Sequence, residues 1–423
     1  MDSPWLIAYL VLAGAAIVQS LLVAAQAWEN RRFSRAWVRG LERHRATGRA
    51  CVLVPCKGID EELEENLRAV LRQDYPDFEV VFILEAADDP AGAVIRRVMA
   101  EHPQAASRLL VAGRATSSGQ KVHNLLAATA RIAPEIAFLA FLDSDSQPRP
   151  EWLRMALARL GRPIMGAATS YRWLLPRRPT LANSLLASIN GAVMALSSRR
   201  HHRLVWGGSW ASRRDTFDRL DLRQKWQGTL SDDLVASRVL RRAGLRVRFE
   251  PGCVVASPLD RSPREMFAFL RRQYLIVRHY APLWWWFALA NSSIRNLAWL
   301  VSLGLAVCGL LRGAPSAWLA GAVLAALYAL DLYRGSLAEG MARACLGDRS
   351  LPPGGWPPFH LWLAPAAGLV NWLGILTSAF GRVVTWRGVR YRLLRGGRVA
   401  VTSRDDPPRA APHPQPQATR KAA

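Results

Sequence analysis

The sequence predicts an α/β domain with a parallel sheet, held to a membrane on both sides. Three observations predict it. Between residue 50 and the Asp143 region, short apolar runs alternate with amphipathic segments of helix length, the rhythm of βαβ units. Apolar stretches long enough to cross a bilayer flank that middle, one from Pro4 to Ala27 and more after Pro282. The 423 residues carry a formal net charge of +24, and the arginines crowd beside those apolar stretches, where an anionic membrane surface accounts for them. A mean hydropathy of +0.04 therefore averages two different kinds of sequence.

Residues 1–28 read as an N-terminal transmembrane anchor. Residues 29–49 come next as a basic juxtamembrane linker with Arg31, Arg32, Arg35, Arg39, Arg43, Arg45 and Arg49. A signal peptide carries its positive charges before the apolar part, so this order marks a retained anchor whose far end is cytoplasmic. Cys51, Cys56, Cys253, Cys308 and Cys345 show no metal spacing, and an odd count fits a reducing compartment.

From residue 50 to 262 the chain reads as the α/β domain. CVLVP is a strand closed by Pro55, EELEENLRAVLRQ an amphipathic helix, FEVVFIL a strand, AGAVIRRVMAEH a helix. SRLLVAG, QKVHNLLAATARI and IAFLAFL continue the series. The carboxyl ends of parallel strands face the ligand crevice, and three of these ends are acidic: Asp60 after the first, Glu85 to Asp89 after the second, Asp143 and Asp145 after the last. Two carboxylates one residue apart can hold a hard divalent cation with a diphosphate. The same residues also suit turns and helix caps. Lys121 and Asn124 add a cation and an amide where a diphosphate can be met.

Further on, Gly161 to Ser170 reads as a strand and Leu181 to Ser198 as an apolar helix. Val205-Trp206-Gly207-Gly208-Ser209-Trp210 then offers backbone that can approach a ligand closely, with Trp206 and Trp210 as a stacking wall for a sugar or an acyl chain, or else a tight hairpin with buried tryptophans. His201 and His202 among Arg199, Arg200 and Arg203 form a solvated or lipid-facing patch. Ser231-Asp232-Asp233 has the form of a helix N-cap with an acidic first turn.

VPCKGIDEELEENLRAVLRQDYPDFEVVFILEAADDPA, QKVHNL, FLDSDSQP and the Asp232-Asp233 pair, in this order, resemble family-2 glycosyltransferases and specifically their ceramide glucosyltransferase-like branch. The resemblance covers roughly residues 50 to 280. It implies a GT-A (Rossmann-like) nucleotide-sugar-binding fold. It implies that Asp60, Glu85 and Asp88 define the uridine pocket and that Lys121 approaches the uracil or diphosphate. Asp143 is placed at the ribose and metal side, Asp145 at a Mg2+ or Mn2+ ion, and Asp233 as general base with Asp232 as its neighbour. The family's Gln/Arg-x-x-Arg-Trp step is only partly kept: Arg272 matches its Arg, but Phe269 and Gln273 stand at the outer positions. Arg272 and Gln273 are expected contacts for the diphosphate or acceptor. Loss of the Trp argues against a processive polymer synthase.

Residues 263–283, which open with PREMFAFLRRQYLIVRHY, suit an amphipathic helix in the membrane interface. Residues 284–381 form the C-terminal transmembrane region, with apolar stretches near 296–311, 315–333 and 358–380; Arg295 and Asp331 are expected to snorkel at their edges. Three crossings would leave the basic tail, residues 382–423, on the wrong side, so one stretch is re-entrant or interfacial, or a span is missed or split. The tail is expected to be cytoplasmic and partly disordered.

The expected activity is inverting transfer of a hexose, glucose first, from a UDP-sugar donor to a lipid acceptor hydroxyl, ceramide-like first, by an integral membrane protein of bacterial inner-membrane type. A short-polymer synthase is the alternative within the class; a non-catalytic nucleotide-sugar-binding membrane subunit is the alternative outside it. Nucleic acid is not an expected partner, because the basic residues flank the membrane segments and form no stripe with stacking aromatics.

Overall fold

The computed structural model of the protein describes residues 4–38, 47–60, 62–197, 204–351 and 359–405. A single helix, α1 (Pro4–Val38), leads into β1 (Arg49–Pro55), α2 (Leu63–Leu71), β2 (Phe78–Leu84), α3 (Ala91–Glu101) and β3 (Ser107–Val111). Then come α4 (Gln120–Thr129), β4 (Ile136–Leu142), α5 (Trp152–Ala158), β5 (Met165–Thr169), β6 (Arg172–Pro176) and α6 (Leu181–Ala195). The domain is completed by β7 (Ser209–Arg213), α7 (Arg214–Arg219), α8 (Leu222–Trp226), α9 (Asp232–Arg242), β8 (Arg246–Phe249) and β9 (Val255–Leu259). Last are α10 (Pro263–Tyr280), α11 (Pro282–Leu311), α12 (Ser316–Leu346), α13 (Phe359–Trp362), α14 (Ala364–Ser378), and β10 (Val383–Trp386), β11 (Val389–Leu393) and β12 (Val399–Arg404).

The main sheet has the order β3-β2-β1-β4-β7-β5-β8. Every pairing in it is parallel except those of β7, which runs antiparallel to both β4 and β5. Alternation along β1 sends Val52 and Val54 to one face and Cys51 and Leu53 to the other, all fully buried, so each face needs its own cover. On the first face α2, α3 and α5 supply Leu67, Ile95 and Trp152. On the second, α4, α8 and α9 supply Leu125, Trp226 and Val235. This is the expected GT-A arrangement, with the strand ends of β1, β2 and β4 along one edge.

Among the described residues three helices, α1, α11 and α12, are long and apolar enough to cross a membrane. At 35 residues α1 is about 50 Å long, well beyond a hydrocarbon thickness of about 30 Å. The stretch expected as a linker after residue 28 is helical to Val38, and this last part of α1 docks on the domain: Asn30 Nδ2 donates to Ala195 O at 2.9 Å. The hairpin of α11 and α12 returns the chain to the domain, where Met341, Ala342 and Cys345 pack with Trp173 and Phe249. The third apolar stretch yields α14, only 15 residues and shorter than a crossing needs, which packs on α6 and α10 through Ala367.

Two expectations are corrected. Arg295 and Asp331 do not snorkel: they form a buried ion pair between α11 and α12, and Arg334 Nη2 joins Asp331 Oδ1 at 3.1 Å, because a charge facing helix neighbours is stabilised by an opposite charge there. The stretch after 382, expected as a basic tail, is instead part of the folded domain: β10, β11 and β12 form a sheet whose Val384, Val389, Tyr391, Leu393 and Val399 enter the core beside α4 and α9. The expected basic patch at 199–203 and the tail beyond 405 lie outside the described residues.

Candidate active site

The turn after β4 is pinned to the loop before β7: the Asp143 N–H donates to Gly208 O at 3.2 Å. That loop comes so close that a side chain would be tight at Gly207 and would overlap its neighbours at Gly208. A Cβ on Gly207 would stand 3.1 Å from Asp233 Oδ2 and from Lys121 Nζ, and one on Gly208 would stand 2.9 Å from Asp143 Oδ2 and overlap the Trp206 ring.

Lys121, in the first turn of α4, joins these parts. Its Nζ lies 2.7 Å from Asp143 Oδ1 and 3.5 Å from Asp232 Oδ1, and donates to Gly207 O at 2.9 Å. Burial works against the ammonium, but the carboxylates of Asp143, Asp232 and Asp233 overcome it and hold the lysine above its ordinary pKa.

The two acids at the start of α9 have different surroundings. Asp232 is 3% exposed, and its Oδ2 has no hydrogen-bond partner. Burial, with the charges of Asp233 and Asp143, outweighs Lys121 and pushes its carboxyl up to about 7. Asp233 is half-buried and fixed: Oδ2 accepts from Gly207 N at 3.0 Å, and Oδ1 accepts from Leu234 N at 2.7 Å and from the Ser231 hydroxyl. Ser231 Oγ also accepts from Leu234 N at 3.2 Å, so capping and the acidic pair coexist.

Asp145 turns away from Lys121 toward a set of arginines. Its Oδ2 lies 3.3 Å from Arg172 Nη1, while Oδ1 is buried without a hydrogen-bond partner. Burial would raise this carboxyl, but Arg172, Arg387, Lys121 and Arg261 hold it below the ordinary carboxylate value. Arg272 belongs to the same set, its guanidinium 5.4 Å from the Phe269 ring and 5.5 Å from the Trp386 ring. Burial and the like charges of Arg261, Arg172 and Arg387 lower it to about 10. Four guanidiniums gathered on so few carboxylates make a site for an anion.

At the rim, Asp60 Oδ2 pairs with Arg387 Nη2 at 2.8 Å, and Arg387 Nη1 donates to Lys57 O at 2.7 Å. Glu85 lies between Lys57, at 2.9 Å, and Arg404, at 3.3 Å. Asp88 is exposed and makes no side-chain hydrogen bond or ion pair among the described residues; its neighbour Asp89 links the two strand ends, accepting from Gly58 N at 2.9 Å and Ala91 N at 3.0 Å. Gln273 is half-buried beside Arg272 and makes no side-chain hydrogen bond among the described residues.

The structure thus brings together Lys121, Asp143, Asp145, Asp232 and Asp233, with Asp60, Glu85 and Arg272 around them. Trp210 is a correction. It is 1% exposed, stacked on Phe141 at 4.1 Å, because β7 lies inside the sheet and Trp210 points into the core with Phe217 and Trp226. The aromatic ring beside the carboxylates is Trp206, half-buried, with the Arg172 guanidinium 5.2 Å from its centre and Tyr171 edge-on at 5.5 Å. Arg172, Arg261, Arg387 and Arg404 were not anticipated as site residues, whereas Trp206 is the one of the two expected tryptophans that borders the cleft.

Among the described residues no group of three or more His, Cys, Asp and Glu side chains is placed to hold a metal ion. The donors present nonetheless fit a hard cation whose remaining ligands come from a diphosphate and water: Asp145 Oδ1 is an unpartnered buried oxygen, and Asp143 is close behind it in the same turn.

The sequence profile described as glycosyl transferase family 21 matches residues 10–399. Ceramide glucosyltransferase 1 of Caenorhabditis elegans is 27% identical over 128 residues, 30% of this chain and 27% of that protein. The ceramide glucosyltransferase of Komagataella phaffii is 37% identical over 59 residues, 14% of this chain and 12% of that protein. The matches therefore span about a quarter or less of these relatives' lengths. Among solved structures, a mannosyltransferase from Pyrobaculum calidifontis in complex with GDP-Man and Mn2+ is 20% identical with a TM-score of 0.47, covering 79% of this chain and 99% of that one. Glucosyl-3-phosphoglycerate synthase from Mycobacterium tuberculosis, in complex with Mn2+, UDP and phosphoglyceric acid, is 14% identical with a TM-score of 0.37, covering 57% and 81%. The ceramide glucosyltransferase-like branch read from the motifs carries the family number 21, and with 390 of the 423 residues inside that match the chain belongs to glycosyl transferase family 21.

Proposed function

We propose that this protein is an inverting glycosyltransferase that moves a hexose, glucose first, from a UDP-sugar to the hydroxyl of a membrane lipid, with a ceramide-like acceptor first. The observation that carries the reading is the meeting at Lys121. Asp143 of the donor-side turn and Asp232 of the α9 pair both lie within reach of one ammonium, and Asp233 is fixed on the adjoining Gly207.

In this mechanism Asp233 takes the proton from the acceptor hydroxyl. It is the more accessible of the pair, and its carboxylate is oriented by the Gly207 and Leu234 amides before substrate arrives. Asp232, with its raised pKa, limits the negative charge beside Lys121 and positions Asp233's surroundings. The acceptor oxygen attacks the anomeric carbon from the side opposite the nucleotide, and the sugar–diphosphate bond breaks. Negative charge then develops on the departing diphosphate, where Arg172, Arg261, Arg272 and Arg387 oppose it. Asp145 and Asp143 would hold Mg2+ or Mn2+, which supplies Lewis-acid stabilisation of the diphosphate when bound. Asp60 and Glu85 lie at the rim where the nucleoside enters. Three helices able to cross a membrane, two of them continuous with the domain through α10, favour a lipid acceptor. The arginines after residue 30 and after residue 381 favour the cytoplasmic face for the domain of this integral membrane protein.

The test uses the purified full chain in detergent with a panel of nucleotide sugars, Mg2+ or Mn2+, and a lipid extract, read by mass spectrometry of new glycolipids. Wild type should form a glycolipid; Asp145→Asn and Asp233→Asn should stay folded and lose transfer. Full transfer by both variants, or none by wild type with any nucleotide sugar, overturns the reading.

A further inference from the structure

A second cavity, of about 1030 Å³, lies away from the catalytic cleft, and none of the carboxylates described above lines it. Its walls come from α9, the junction of α10 with α11, the end of α14 and the turn between β11 and β12. Six arginines line it: Arg238, Arg241, Arg242, Arg278, Arg382 and Arg395, together with His279. No aspartate or glutamate is among the lining residues, and none of the six makes an ion pair among the described residues. Arg278 is engaged by carbonyls instead, donating to Ala379 O and, at 2.6 Å, to Gly381 O, which leaves its charge uncompensated.

The charges converge from separate elements. Burial, with Arg278, Arg382 and Arg238, lowers the pKa of His279, whose Nε2 is buried without a hydrogen-bond partner. Arg278 is likewise lowered by burial, Arg382 and Arg271. A cavity that gathers this much like charge is stabilised by an anion with several acceptor oxygens, and phosphate is the group that guanidinium forks match.

Its position says where that phosphate comes from. The mouth lies at the start of α11, one of the helices able to cross a membrane, and its rim carries Leu283 and Phe380, each 75% exposed, with Trp284 and Leu394. Apolar and aromatic side chains beside a set of arginines, four of them exposed, at the start of a helix able to cross a membrane, suit a molecule that is phosphate at one end and acyl chain at the other. We infer that this cavity binds the headgroup of an anionic glycerophospholipid. The volume accommodates a glycerophosphate headgroup, the arginines meet its phosphodiester, and the acyl chains leave past Leu283 and Phe380. Leu234 and Ser237 of the cavity wall sit on α9, the helix that begins with Asp232 and Asp233, so a bound lipid braces the catalytic pair from behind.

The experiment uses the full chain in detergent, titrated with dioleoylphosphatidylglycerol, dioleoylphosphatidylcholine or inorganic phosphate and read by native mass spectrometry. Phosphatidylglycerol should bind at low stoichiometry and phosphatidylcholine should not. The double variant R238Q/R382Q should bind it about 30-fold more weakly, and R238K/R382K should recover most of that loss. R241Q/R242Q, at two exposed positions of α9, gives a second reading that does not disturb packing and should weaken binding in the same direction. A melting curve of each variant checks the fold. Equal binding of the two lipids, or unchanged phosphatidylglycerol binding in both glutamine pairs, overturns the inference. So does arginine-dependent binding of inorganic phosphate with none of phosphatidylglycerol, which assigns the cavity to a soluble anion.

Discussion

Arg387 meets Asp60 at 2.8 Å although they are 327 positions apart in the chain, so the loop after the first strand of the α/β domain is held by the last sheet of the protein. The same arginine is kept charged against burial by Asp60, Asp145 and Asp143. Arg387→Ala should leave the fold intact, since the pair is about one-third exposed on both sides and contributes only about 1 kcal/mol or less. It should raise the KM for the proposed UDP-sugar donor by about tenfold, the share of one charge-assisted contact. Steady-state kinetics against donor concentration, with a melting curve as control, separates the two effects.

Gly208→Ala places a Cβ against the Trp206 ring and 2.9 Å from Asp143 Oδ2, in a loop already bonded to Asp143 through the backbone. Stability should fall by about 1–3 kcal/mol, as for overpacking elsewhere. Transfer should fall further, by about 100-fold, because Asp143 and the loop carbonyl that orients Lys121 both shift. Glycolipid formation rates compared with denaturant midpoints test this.

The two tryptophans of the same loop should behave oppositely. Trp210→Ala removes a fully buried ring from the stack on Phe141 and should cost about 3–5 kcal/mol of stability; Trp210→Phe should restore most of it with kcat unchanged. Trp206→Ala should cost less stability and lose transfer, because this ring borders Arg172 and the glycines of the cleft. Thermal denaturation and turnover measured on all three variants give the comparison.

Glu250 supplies a pH effect. It is 0% exposed, its Oε1 accepts from Trp37 Nε1 of α1, and Arg159 Nε stands 3.6 Å from Oε2. Burial outweighs Arg159, the Gly252 amide and Trp37, and raises its pKa from 4.5 to about 7. The folded state thus holds a proton that the unfolded chain releases. The stabilisation is fully present below about pH 4.5, and is lost as pH rises through 7. Wild type should lose about 3 kcal/mol between pH 5 and 8 through this group. Glu250→Gln keeps an acceptor for Trp37 and should flatten that slope, with higher melting temperatures at pH 8.

The alternating strands and helices of the α/β domain were legible because each has a full apolar pattern of its own. The acids at the ends of β1, β2 and β4 followed from the strands, and Lys121 from its place early in α4. Trp210 was misassigned because a run of glycines between two tryptophans does not say which ring faces the cleft; pairing of β7 with both β4 and β5 decides it. Arg172, Arg261, Arg387 and Arg404 had no local signal, since they come from β6, the loop before α10 and a sheet more than 200 residues beyond the Asp143 turn. That sheet did leave a trace. Val389-Arg390-Tyr391-Arg392-Leu393 alternates with period two, and Arg387-Gly388 before it takes positive φ at both residues, 47° and 74°, as a two-residue hairpin turn requires. The charge of the region, read as a cytoplasmic tail, masked the pattern. Glu62, Arg177 and the other surface pairs carry no comparable information.

The return of β10, β11 and β12 to the domain also sets an order of events during synthesis. The strands that carry Asp60, Glu85 and Asp143 leave the ribosome long before Trp386, Arg387 and Arg404, and both α11 and α12 must be made in between. Domains generally begin to fold from the N-terminal side as they emerge. A nascent chain halted before residue 383 therefore has its carboxylates without Arg387 and Arg404, and has the α4 and α9 side of its core uncovered where Val384, Tyr391 and Leu393 belong. The enzyme acquires its complete cleft only after α11 and α12 have been synthesised, so a chain that stops ahead of residue 383 carries no complete site.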